Sequence, residues 1–107
     1  MKKHFLIQSI KTNIRKADED GYTQYNITPI TAALRSLPKM VDEYNDGSKK
    51  TIEFEVYGVS GQDTAVITLR GPRKMINDFP TALLTTNFYD HFSLREEDSP
   101  DIYLYRR

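Results

Sequence analysis

The sequence predicts an α+β domain: an antiparallel or mixed sheet with two proline-interrupted helices packed mainly on one face. Two observations carry this. Residues 51–59 alternate apolar and polar side chains with the period of two that marks a half-buried strand, and residues 64–70 return with Ala65, Ile67 and Leu69 on one side. Residues 30–44 and 75–88 instead repeat apolar side chains at helical spacing. Strands and helices that take turns along the chain must cover one another to bury those faces.

The first segment, Lys3 to Lys16, fits two patterns. Leu6, Ile7, Ile10 and Ile14 make a helical stripe, while Leu6, Ile10, Thr12 and Ile14 share one face of a strand. The β-branched content and the lack of an N-cap favour the strand. Asp20-Gly21 closes a turn after Asp18-Glu19, and Tyr22 to Ile27 reads as the returning strand of a hairpin. Thr28-Pro29 is a helix start, with the threonine as cap and the proline in the first turn. Ile30, Ala33, Leu34, Leu37, Val41 and Tyr44 form the stripe that follows. Pro38 interrupts it, which predicts a kink or two short helices, since an interior proline costs about 3 kcal/mol. Asn45-Asp46-Gly47 ends the segment.

Ile52, Phe54 and Val56 then oppose Glu53, Glu55 and Tyr57 across a strand. Ser60-Gly61-Gln62-Asp63 turns the chain, and Ala65, Ile67 and Leu69 line the return. Gly71-Pro72 opens a second helical segment with Met75, Ile76, Phe79, Leu83, Leu84 and Phe88 as its stripe and Pro80 as its break. Phe92-Ser93-Leu94 reads as a short strand and Arg95 to Asp101 as an acidic turn. Ile102 to Arg107 reads as a last strand, with Tyr103 and Tyr105 outward. The order is ββαββαββ, or βαββαβ if the outer hairpins do not form. The halves share a rhythm but too little identity for a repeat, and no linker divides the 107 residues, which fit one domain.

Composition narrows the function classes. With 38% hydrophobic and 28% charged residues the chain is too apolar for disorder, and no apolar run approaches a membrane span. The apolar stretch after Lys2-Lys3 stops at Gln8 without a cleavage site, so it is not read as a signal peptide, and a cytoplasmic setting is expected. The chain has no cysteine, hence no thiol nucleophile and no cysteine-based metal site. No cofactor motif is present. Lys plus Arg and Asp plus Glu balance at 15 each, unlike proteins that coat nucleic acid.

His4 and His91 are the only histidines. A nuclease-like acid–base pair needs them on neighbouring strands. Asp18-Glu19-Asp20-Gly21 lacks the ligand spacing of a calcium loop, and no phosphate loop or nucleophile elbow occurs. Charge placement is more informative. Asp18, Glu19 and Asp20 form one acidic cluster, Asp42, Glu43 and Asp46 a second, and Glu96, Glu97 and Asp98 a third, each at a turn or segment end. Carboxylates on exposed tips suit a basic partner groove that normally holds nucleic acid. The alternative surface is basic: Lys11, Arg15, Arg106 and Arg107, with Tyr103 and Tyr105 interleaved, resembles the stacking face of an RNA-binding sheet.

A short single domain without cysteine or catalytic signature, with carboxylate-rich tips at Asp18-Glu19-Asp20 and Glu96-Glu97-Asp98, resembles the small accessory proteins of phages and plasmids. Within that group it resembles the anti-CRISPR inhibitors of Cas9. The resemblance implies binding to a Cas9-type nuclease or its guide RNA assembly without chemistry. The neutral net charge departs from the strongly acidic inhibitors and argues against whole-surface DNA mimicry. The sequence thus leads to a protein-binding inhibitor, with a small RNA-binding or regulatory module as the alternative.

Overall fold

The computed structural model describes residues 1–10, 12–15 and 24–104. The elements are β1 (Lys2–Ser9), β2 (Thr12–Arg15), β3 (Gln24–Asn26), α1 (Ile30–Asn45), β4 (Glu53–Ser60), β5 (Thr64–Arg70), α2 (Arg73–Ala82), a 3-10 turn (Leu83–Thr85), α3 (Phe88–His91), β6 (Phe92–Glu96) and α4 (Asp101–Leu104). Four strands form one sheet in the order β4-β5-β1-β6, and every pair is antiparallel. Without β2 and β3 the connectivity is βαββαβ with the first and third strands at the centre, the split β-α-β arrangement of ferredoxin-like folds. The fold class predicted from the sequence is therefore observed.

Register explains which face is dry. Phe5 lies opposite Ile67, and Ile7 opposite Ala65 and Leu94. With Leu69 they meet Ile30, Ala33, Leu37 and Val41 of α1 and Ile76 and Phe79 of α2 in one buried cluster. Both helices survive their prolines. Of the two outcomes expected at Pro38, a kink or two short helices, the split does not occur: α1 is one helix, because the buried Ile30, Leu37 and Val41 at about 1.5–3 kcal/mol each outweigh about 3 kcal/mol for the proline. α2 likewise passes Pro80, and its chain breaks later, at the 3-10 turn. Asn45 ties the end of α1 to the approach to β4: its amide nitrogen donates to the Ile52 carbonyl and its oxygen accepts from the Ile52 N–H, both at 2.9 Å.

Three further expectations are corrected. The expected strand over residues 3–16 is two strands, β1 and β2, in different sheets. The expected threonine cap on α1 is absent: Pro29 precedes the helix with no side-chain cap, and Thr28 is engaged elsewhere. The expected last strand begins as a helix, α4, so Tyr103 lies in a helical turn, not on a sheet.

α4 lies over the sheet face opposite α1 and α2. β4 bulges between Val56 and Gly58, so Gly58 pairs with Val66 on that face, and the Leu104 side chain sits where a Gly58 side chain would project. Leu6, Val66 and Thr68, which point away from both long helices, are at most 2% exposed.

Candidate interaction surfaces

β2 and β3 pair with each other and with no strand of the larger sheet. They form an arm between β1 and α1. Its root is a hydrogen-bonded knot. Ser9 Oγ donates to the Thr28 carbonyl at 2.7 Å, and Thr28 Oγ1 meets His91 Nδ1 at 3.0 Å. The Ile10 N–H donates to the His91 carbonyl and the Ile30 N–H to the Gln62 carbonyl. Ile10 and Ile27 flank this root at 38% and 39% exposure. The chain is elongated, with a radius of gyration of 15.8 Å against about 13 Å for a compact domain of this length.

The connection between β2 and β3 carries Asp18, Glu19 and Asp20, and these residues lie outside the described ones. So do Lys11, Tyr105, Arg106 and Arg107. Arg15 falls in β2 and Tyr103 in α4. Because Tyr103 is helical, the tyrosine-bearing terminal strand of the RNA-binding alternative begins as something else.

The third acidic cluster is partly satisfied within the chain. Glu96 bonds Lys3 Nζ at 2.8 Å, and Lys3 also reaches Asn77 Oδ1. Glu97 meets the Arg95 guanidinium at 3.5 Å and accepts from the Ser99 N–H, with only 16% of its side chain exposed. Asp98 is exposed. The three residues thus do not act as one free tip. The second cluster differs. Asp42, Glu43 and Asp46 are exposed around the C-terminal turn of α1, and no ion pair among the described residues engages them. That end of a helix carries partial negative charge, so each carboxylate there is disfavoured by about 0.3–1 kcal/mol.

His4 and His91 lie on or beside neighbouring strands, as an acid–base pair requires, but antiparallel register separates them. His4 aligns with Glu97 and His91 with Ile10. The intervening length of β1 is about 20 Å at ~3.4 Å per residue. Each ring has its own local partners. His4 Nδ1 meets Thr68 Oγ1 at 2.9 Å and its ring stands edge-on to Tyr57 at 4.9 Å, whereas His91 holds Thr28. Among the described residues, no group of three or more His, Asp or Glu is placed to hold a metal. No helix of the described residues is long and apolar enough to cross a membrane.

A groove of about 200 Å³ opens between α1 and α2 beside Met40, Tyr44, Phe79 and Leu83. That is below the usual size of a small-molecule site. Tyr44 donates to Asp78 Oδ2 at 2.8 Å. Burial first, then the bond to Asp78 and its charge, push the phenol up to about 12.

Sequence reading missed two features here. Gly58 sits inside a strand pattern, a signal of a bulge or close approach. Ser99-Pro100-Asp101 carries the residue types of a helix start ahead of α4. Comparison with protein families, curated proteins and solved structures returns no match.

Proposed function

We propose that this protein is a non-enzymatic binding protein that inhibits a nucleic-acid-handling protein, a Cas9-type nuclease or its guide RNA assembly being the partner class the anti-CRISPR resemblance implies. The observation that carries the reading is the β2–β3 arm. It pairs with no strand of the main sheet, and two exposed isoleucines flank its root. A two-stranded hairpin is marginal in water on its own, so a partner surface is where its pairing would be completed. Its connecting sequence holds three consecutive carboxylates, Asp18, Glu19 and Asp20. The exposed carboxylates at the end of α1 add a second acidic site that gains from a basic partner more than from its own helix.

On this reading the acidic residues dock against a basic groove and exclude the nucleic acid by occupation. The test is binding of the purified protein to a Cas9–guide RNA complex. Replacing Asp18, Glu19 and Asp20 together by lysine should abolish binding and restore target cleavage. Unchanged affinity in that variant removes the acidic-arm mechanism.

A further inference from the structure

β4 is an edge strand: β5 pairs with one side of it, and no strand among the described residues lies on the other. Which of its backbone groups face the open side follows from the bonds at its start. Along an extended strand the N–H and C=O of alternate residues point to the same side. Gly71 donates its N–H to the Met1 carbonyl and its carbonyl accepts from the Met1 nitrogen, so its backbone groups point toward β1. Those of Arg70 therefore point toward β4, where Arg70 lies opposite Glu53. Glu53 and Glu55 thus bond β5, while Ile52, Phe54 and Val56 direct their groups outward. Asn45 agrees with this sense: its carboxamide bonds both backbone groups of Ile52, as a neighbouring strand would. Phe54 and Val56 present the next two rungs, and the bulge after Val56 ends the regular stretch.

The two faces of this edge differ in chemistry. Phe54 and Val56 lie on the helix-bearing face, opposite Leu69 and Ile67. Val56 is 41% exposed. Between α1 and this end of β4 runs a groove of about 370 Å³, with Pro38, Val41, Ile52 and Phe54 as its apolar wall. Glu53 and Glu55 lie on the other face, both exposed, and no ion pair among the described residues engages them. Glu53 has Arg70 beside it on β5, but Glu55 lies opposite the neutral Thr68.

We infer that this edge takes an extended segment of a partner protein that alternates basic and apolar side chains, added antiparallel as a fifth strand of the sheet. Its backbone closes the rungs at Phe54 and Val56, which is the source of affinity in strand addition. Side chains directly across from Phe54 and Val56 fall on the same face as those residues, so they are the apolar ones, and the first enters the groove beside Val41. Side chains across from Glu53 and Glu55 fall on the other face, where opposite charge stabilises and like charge does the reverse. The arm's root meets the chain at Gln62, beyond the far end of β4, so this inference stands apart from the proposed function.

Amide hydrogen exchange by NMR tests it. The probe is the peptide acetyl-Lys-Val-Lys-Val-Lys-amide, and the control is the same peptide with glutamate in place of lysine. In the free chain the Phe54 and Val56 N–H groups should exchange fast, while those of Glu53 and Glu55 are protected. The lysine peptide at about 1 mM should protect Phe54 and Val56, and the glutamate peptide should not. Glu55→Lys, at an exposed site, should weaken the lysine peptide by about tenfold. Phe54 and Val56 amides already protected in the free chain, whether by its own residues or by a second copy, overturn the inference. So does a lysine peptide that protects neither, a glutamate peptide that protects both equally well, or a Glu55→Lys chain with unchanged affinity.

Discussion

Replacing Gly58 by alanine should have opposite effects depending on what stands at position 104. The added Cβ would lie 2.5 Å from Leu104 Cδ1 and 3.1 Å from Cδ2. No real pair of carbons sits that close, so the leucine must move. Gly58 does not need positive φ, so alanine there carries no backbone strain. By restricting the unfolded chain it should stabilise by about 0.4–1 kcal/mol. Against that stands the contact of Leu104 with β4. Fully burying a leucine is worth about 1.5–3 kcal/mol, and Leu104 is half-buried, so displacing it forfeits about 1 kcal/mol. In the wild-type background the two effects nearly cancel, with a loss of up to about 0.6 kcal/mol. In a Leu104→Ala background the clash is gone, and Gly58→Ala should stabilise. Urea denaturation of the four chains of this cycle gives the coupling, expected at about 1 kcal/mol. Gly58→Ala effects that agree within about 0.5 kcal/mol in the two backgrounds would refute the packing of α4 on the sheet.

Gly71→Ala should be far costlier. Its φ of +150° is strained for alanine, and the Cβ would lie 2.9 Å from the Thr51 carbonyl oxygen, which as backbone cannot swing away. A loss of about 2–4 kcal/mol is expected, read as a fall in Tm of at least about 8 °C. High pH should weaken the fold through Tyr44. Its folded pKa is raised to about 12 from an unfolded 10.0, so the protonated phenol stabilises fully below pH 10 and that contribution drains away between pH 10 and 12. Tyr44→Phe should flatten this part of the stability–pH curve in alkaline denaturation. Glu43→Lys should stabilise by about 0.3–1 kcal/mol in a thermal melt, by matching charge to the end of α1, while weakening any basic partner's grip.

Much of this fold was legible in the sequence where one face of an element is dry and the other wet. Ile52 to Tyr57 betrays its faces because Glu53, Glu55 and Tyr57 interrupt the apolar residues, whereas Ala65 to Leu69 is buried throughout and shows its strand through its β-branched residues. The β1 face was not legible, because Phe5, Leu6 and Ile7 are all buried and a run dry on both sides has no period. Ile102 to Tyr105 alternates like a strand, yet at least Asp101 to Leu104 is helical. Four residues are too few for periodicity to decide, and the cover over Gly58 is a tertiary contact. Pro38 does not split α1, since burial along the helix offsets the local cost of the proline, whereas the second helical segment ends two residues after Pro80. At the candidate surfaces, adjacency of the histidine-bearing strands was foreseeable, but antiparallel register, which holds the rings apart, was not. Clustering of Glu96, Glu97 and Asp98 was plain in the sequence. Capture of Glu96 by Lys3 depends on β6 lying beside β1, which no local pattern announces, while Glu97 is held within its own segment by Arg95 and the Ser99 N–H.

The proposed function assigns partner contact to the arm, whose two strands form a sheet of their own apart from the four-stranded one. The bond between Ser9 Oγ and the Thr28 carbonyl brings the two ends of the arm into contact, so a short glycine linker from Ile10 to Thr28 can replace residues 11–27. Target cleavage by a Cas9-type nuclease, measured with the intact and the excised chain side by side, is the direct measurement. The expected result is inhibition by the intact chain and full cleavage with an excised chain that still melts cooperatively. An excised, folded chain that inhibits as strongly as the intact one would contradict the account.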